Sequence, residues 1–344
     1  MRLGIVGLPH SGKTTVFEAL TANMSDDAGK RETRIGVIKV PDRRVEILSR
    51  MYKPKKTIFA RVEYFLPGRA DHSKETKGEP GIWTQARDCD ALIHVVRNFK
   101  IYGAEKPTPG TDFSAIDQEL IISDLMVVEK RLERLALEAK RGKKPNPEET
   151  TLLKECHKHL EAEVPLRQFQ EITSAKLLRG YAFLSAKPML VLLNNEDEND
   201  ALPDIKMPVE QENCMIIRGK LEQELAQMTD EEAEEFLSEF NITASATDRV
   251  IKQSYSLLGL ISFFTVGEDE VRAWTIKRDT PALDAAEVIH SDIKKGFIRA
   301  EVLSYEDLMD AGSYNEARKK GTVRLEGKTY IVKDGDIINF RFNV

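Results

Sequence analysis

Cysteine is scarce: Cys89, Cys156 and Cys214 are the only three in 344 residues, and no metal-ligand spacing links them. A disulfide framework and a cysteine-held zinc are therefore excluded. No apolar run reaches the ~18 residues that a membrane span needs, and the chain opens directly into a strand-like segment with no signal-type apolar stretch. The expectation is a cytoplasmic protein with reduced thiols and no membrane contact. One-sided charge is missing too. With 51 basic against 57 acidic residues, a net charge of -6 gives no chain-wide attraction for nucleic acid, so DNA is not expected and any RNA contact must be local. The length suggests two or three domains.

The richest signal lies at the start, in MRLGIVGLPHSGKTTVFEALT. Gly7, then four residues, then Gly12-Lys13-Thr14 match the phosphate-loop pattern G-x-x-x-x-G-K-[ST], between a short apolar strand (Leu3, Ile5, Val6) and a helix beginning at Thr15-Val16-Phe17. Glycines let successive N–H groups point inward around a phosphate chain, and the helix start adds partial positive charge. Lys13 supplies a point charge for the terminal phosphates, while the Thr14 hydroxyl is a ligand for Mg²⁺. Gly7, His10, Ser11, Gly12, Lys13, Thr14 and Thr15 are the phosphate-site candidates, His10 being as easily a tolerated loop position.

Strands at 34–40, 59–66 and 91–96 alternate with helices at 42–48 and 83–87, which around a phosphate loop gives a doubly wound α/β domain. From Asp112 to about Ala175 glycine nearly vanishes and helical spacing takes over. Ile121, Leu125, Val128, Leu132 and Leu135 step by fours and threes, Gly142 to Pro147 turns the chain, and Leu152, Leu153, Cys156 and Leu160 line a return helix: an inserted α-helical hairpin. Its basic tip, Lys140, Arg141, Lys143 and Lys144, is either a phosphate contact or a solvated surface. Strands at 189–193 and 214–217 then return to the α/β sheet, each followed by a polar loop on its ligand-bearing edge. Beyond about Ile276 the chain is β-rich, with strands at 296–302, 322–332 and 336–344, a turn at Glu326 to Thr329 and another at Asp334 to Asp336, which reads as a small α+β module. The division is 1–111 with 186–275 for the nucleotide domain, 112–185 for the hairpin and 276–344 for the module.

Together these pieces resemble the YchF/Obg-like ATPase family. The carriers are GLPHSGKTTVFEALT, Val40 to Arg44, Lys77-Gly78-Glu79-Pro80-Gly81, and at the back Val271 to Thr275, Ala286 to Asp292, Lys295 to Val302 and the closing NFRFNV. The resemblance implies a C-terminal TGS-like (ubiquitin-like β-grasp) domain, ATP or GTP with Mg²⁺, and a ribosomal partner met through the hairpin and that domain. Lys294, Lys295, Phe297, Arg299, Arg341 and Phe342 are candidates for an RNA- or protein-binding face, though alternation turns some inward; the module would otherwise only brace the α/β domain. Several nucleotide-handling positions depart from the family. The aspartate of D-x-x-G is replaced in Phe65-Leu66-Pro67-Gly68, the next position is Arg69, the first-switch threonine falls at Lys30, and no histidine lies between His94 and His157. Lys13, Lys30 and Arg69 remain as charge stabilisers, but nothing is assigned to position a water, so hydrolysis is expected to be weak or lost. For the base, GTPases use N-K-x-D, whose aspartate pairs with guanine, and the family an N-x-x-E form associated with adenine. The matching segment read as Leu193-Asn194-Asn195-Glu196 lacks the leading asparagine, so Asn195, Glu196, Lys220 and Leu221 are the base candidates and ATP is preferred over GTP. The alternative is a catalytically inactive scaffold; a conventional GTPase switch is disfavoured by Leu193 and Phe65.

Overall fold

A computed structural model describes residues 1–24, 33–68, 81–103, 105–203, 213–239 and 245–343. In chain order, β1 (Arg2–Val6), α1 (Lys13–Thr21), β2 (Arg34–Lys39), α2 (Arg43–Tyr52), β3 (Lys56–Ile58), β4 (Arg61–Leu66), α3 (Ile82–Ala86) and β5 (Ala91–Asn98) precede the long α4 (Pro109–Lys140). There follow α5 (Pro147–Glu161), α6 (Gln170–Ser174), β6 (Met189–Asn195), β7 (Cys214–Ile217), α7 (Gly219–Leu225), α8 (Asp230–Glu239) and α9 (Ala246–Leu257). The remainder is β8 (Leu260–Val266), β9 (Glu270–Lys277), α10 (Ala282–Ile289), α11 (Ser291–Lys295), β10 (Phe297–Ser304), α12 (Tyr305–Ala311), α13 (Tyr314–Lys319), β11 (Arg324–Glu326) and β12 (Asp336–Phe342). Packing groups Met1–Val37 with Glu63–Val250 in one compact unit, and Ile38–Val62 with Ile251–Val344 in another.

The first unit is the expected doubly wound α/β layer. Its sheet runs β2-β4-β1-β5-β6-β7, and β1 pairs in parallel with β4 and β5, as do β5 with β6 and β6 with β7. The continuous apolar runs of β5 and β6 are buried because helices cover both faces of a parallel sheet. The register Val6↔His94 and Asn98↔Asn195 brings the carboxyl ends of β1, β5 and β6 to one edge. The hairpin forms as its spacing requires: Val128, Leu135, Leu153, Cys156 and Leu160 share one core, with Leu125, Leu132 and Leu152 packed on it. Asn146 caps α5 through the N–H groups of Glu148 and Glu149. Between hairpin and β6 the chain coils through short 3₁₀ turns at Leu166–Gln168 and Lys176–Tyr181, which no sequence period announces.

His94 sits in the centre of β5 and stacks on Phe113 at 5.3 Å. Burial lowers its imidazole from 6.5 to about 3, with Arg167 adding repulsion, so the ring is neutral when folded. An unfolded chain protonates it at 6.5. Stability is therefore unaffected above that pH and lost as pH falls from about 6.5 towards 3, by about 1.4 kcal/mol per pH unit for one proton. Urea unfolding from pH 7 to 5 checks this: His94→Leu should lack that share of the slope, and an unchanged slope would refute it.

In the second unit the sheet order is β11-β10-β12-β8-β9-β3. β10 pairs antiparallel with β11 and β12, β8 antiparallel with β9, and β12 parallel with β8. β8, which precedes residue 276, and β9, which runs through it, thus belong to this sheet. The expected strand over 322–332 is corrected: only Arg324–Glu326 pairs with β10, because Lys328 and Tyr330 turn their carbonyls to the N–H groups of Leu283 and Ala282 at the start of α10. Ile38–Val62 is held here by Arg44, which joins Asp42, the cap of α2, to Asp334 and lies over the Phe264 ring. Of the six residues expected on a binding face of the module, Phe297 is buried, Lys294 is paired with Asp284 and Glu287, Lys295 with Asp292, and Arg341 with Glu301. Arg299 and Phe342 are exposed, as are the paired Lys295 and Arg341.

Candidate functional site

The loop after β1 must pass close under β5, and the sequence permits it only through glycine. A Cβ on Gly7 would lie 2.5 Å from the Val95 carbonyl oxygen. Gly12, with φ 87, takes the left-handed conformation that starts α1, a helix whose first turn holds no acidic residue to cancel its positive end. Lys13 arches back over the loop and donates to the carbonyls of Gly7 at 3.2 Å and Leu8 at 3.1 Å. Thr14 and Thr15 follow in the first turn, half-buried, while Ser11 is buried and His10 is exposed at φ 64. The loop has a shape that could hold a phosphate chain, and Thr14 carries the hydroxyl that could hold an accompanying Mg²⁺. Among the described residues no cluster of three or more His, Cys, Asp or Glu is placed to hold a metal by itself.

The polar loop at the end of β6, where the base candidates lie, is organised by the asparagine that directly follows Leu193. Leu193 is fully buried core. That asparagine is Asn194: its Nδ2 donates to the Ser11 carbonyl at 3.1 Å, and its Oδ1 accepts the Gly219 N–H at 2.9 Å. One buried amide therefore ties the phosphate loop to the loop after β7. Gly219 is required there, since a Cβ would come 2.8 Å from the Asn194 Oδ1. Asn195, expected to touch the base, has its amide committed inside the protein, accepting from Asn98 and donating to the carbonyls of Asn199 and Ala201. Glu196 accepts the Lys100 N–H at 3.0 Å. Counted from Asn194, the fourth residue is Asp197, whose Oδ1 takes the Leu221 N–H at 3.3 Å.

These groups surround a cavity of about 480 Å³ lined by Gly12, Thr15, Phe99, Asn194, Asp197 and Lys220, together with Lys100, Asn195, Glu196 and Gln223. Lys220 lines this cavity; Leu221 contributes its backbone N–H to Asp197 and is not part of the wall. Phe99, Lys100, Asn194, Asp197 and Gln223 were not singled out from sequence. The usable signal for Phe99 and Lys100 was their position directly after the apolar run of β5, at the carboxyl end of a central parallel strand. Phe65 is buried at the end of β4 with the Arg2 guanidinium over its ring. Lys30, Arg69 and the segment Lys77 to Pro80 lie outside the described residues, and no role is assigned to them.

Comparison with known proteins adds three findings. The family model YchF-GTPase_C, described as a protein of unknown function (DUF933), matches residues 260–343. Proteins named ribosome-binding ATPase YchF are 39% identical in Bacillus subtilis, covering 99% of both chains, and 36% identical in Escherichia coli O157:H7, covering 100% of this chain and 99% of that one. The solved structure titled as the Schizosaccharomyces pombe YchF GTPase superposes with a TM-score of 0.81 at 30% identity, over 99% of this chain and 97% of that one.

Proposed function

The chain belongs to the YchF family, and from that premise we propose that it is a purine-nucleotide-binding P-loop regulator that associates with ribosomes, the bound nucleotide controlling that association. The observation that carries it is the Asn194 bridge: a single buried side chain couples the phosphate loop to the rim of a cavity of nucleotide size. The relatives' name speaks for ATP. Ribosome contact through the exposed basic tip of the hairpin is the electrostatically favoured route, since Lys140, Arg141, Lys143 and Lys144 stand together beyond the apolar core. Hydrolysis is slow or absent in this reading, supported by the apolar Phe65 at a position that otherwise assists Mg²⁺.

Calorimetric titration with nucleoside di- and triphosphates in Mg²⁺, alongside phosphate release, tests this. Lys13→Ala removes a charged donor from the loop and should weaken binding about 10- to 100-fold. Absence of any nucleotide binding to the unaltered chain would overturn the proposal, and rapid phosphate release abolished by Lys13→Ala would overturn its hydrolysis clause alone.

A further inference from the structure

We propose that the second unit holds an acceptor groove for an uncharged, extended peptide segment of a partner protein, taken up as an added β-strand beside the end of β12. The inference is independent of the nucleotide site. A cavity of about 920 Å³ lies within this unit, and it exists because two neighbouring strands end at different heights. β8 and β12 run parallel with the single register Ile337↔Phe264. β8 stops at Val266, two residues further on, while β12 continues to Phe342 and keeps β10 along its other side. From Asn339 to Phe342, β12 is therefore an edge strand that faces the cavity. The orientation of that edge follows from Asn343, whose N–H donates to Gly296 on the β10 side. Successive residues of a strand turn their backbone groups to opposite sides, so Phe340 and Phe342 direct N–H and C=O to the open side. Among the described residues, neither enters a backbone bond outside the regular strands.

Side chains of neighbouring strand residues also point to opposite faces, and both faces of the gap are apolar. On the face that holds Phe263 the walls are Trp274, Ile289 and Ile293, packed on the core of the module. On the face of Phe264, against which Arg44 of α2 lies, they are Met51, Tyr52 and Tyr314. Among the described residues no lysine or arginine lines the cavity, and its one carboxylate, Glu270, stands 3.8 Å from Arg272. A nucleotide or an RNA strand would bring phosphates to a site that has no cation for them. An extended peptide matches both kinds of surface: its main chain completes the bonds of Phe340 and Phe342, and its alternating side chains fill the two walls.

The test pans a library of random, phage-displayed octapeptides on the full chain and measures the capped synthetic winners by fluorescence anisotropy. Enriched sequences should be uncharged over about four residues, the length of the open edge, and rich in β-branched and aromatic side chains. Phe342→Pro removes one N–H on the open side while leaving the pairing with β10, and should weaken binding about 5- to 10-fold. Phe342→Ala, which keeps that N–H, should weaken it less. N-methylation of the peptide needs no change in the protein: methyl groups on one alternate set of residues should cost about 10-fold, and on the other set less than about threefold. No enriched peptide, winners rich in charge, or equal losses for the two methylated sets would overturn the inference, the last by showing that side chains alone are held. A dimer of the unaltered chain that Phe342→Pro abolishes would give the edge to a second copy and overturn it as well.

Discussion

Asp124→Ala is expected to destabilise the first unit by about 3–5 kcal/mol. Asp124 lies on α4 with its side chain wholly buried, and it accepts from the N–H groups of Leu184 and Ser185, from the Ser185 hydroxyl, and from Arg87 at 2.8 Å. It therefore ties the first half of the hairpin to the segment that leads into β6. Alanine leaves two buried N–H groups without acceptors and a largely buried guanidinium without its counter-charge. Asp124→Asn preserves shape but presents an NH₂ group where N–H donors converge, so it should lie between alanine and the native residue. Urea unfolding followed by a probe in the hairpin checks the order; a loss below about 1 kcal/mol for alanine would show that the segment repacks without this acceptor.

That anchor was invisible in the sequence, where Asp124 is one acidic residue among many on an amphipathic helix. Legibility followed the range of the interaction. The phosphate loop was readable because strand, glycines, lysine and helix start are contiguous, and the hairpin because its apolar spacing is local. The roles in the loop after β6 were not legible, since Leu193-Asn194-Asn195-Glu196-Asp197 offers two asparagines and two carboxylates, and only the contacts of Asn194 with Ser11 and Gly219 show which one ties the loops. The strand expected over 322–332 failed for a similar reason: Tyr330 and Val332 have strand-like composition, but their backbone groups pair with 280–282 instead of continuing along β10. The same distance effect concealed Arg44, whose partner Asp334 lies 290 residues away in sequence.

Gly12→Ala is the sharpest functional prediction, with nucleotide affinity expected to fall at least about 100-fold. Two costs combine. The residue must keep φ 87, which an L side chain adopts only with strain of order 1–2 kcal/mol. Its Cβ would also lie 2.2 Å from the Asn194 Nδ2 and 3.7 Å from the Phe99 ring. The first distance is not tolerable, so the Asn194 amide must withdraw and its bonds to Ser11 and Gly219 break together, leaving a buried carbonyl and a buried N–H unpaired. The phosphate loop and the loop bearing Lys220 then lose their common tie, and a nucleotide would have to restore their spacing at the expense of its own binding energy. Gly327→Ala is the matched control, because a Cβ there meets nothing within 4 Å. If Gly12→Ala retains affinity within about threefold while its unfolding transition is unchanged, the bridge is dispensable and the two loops are positioned by the sheet alone; if affinity collapses while the second unit still unfolds as before, the coupling resides in that one amide.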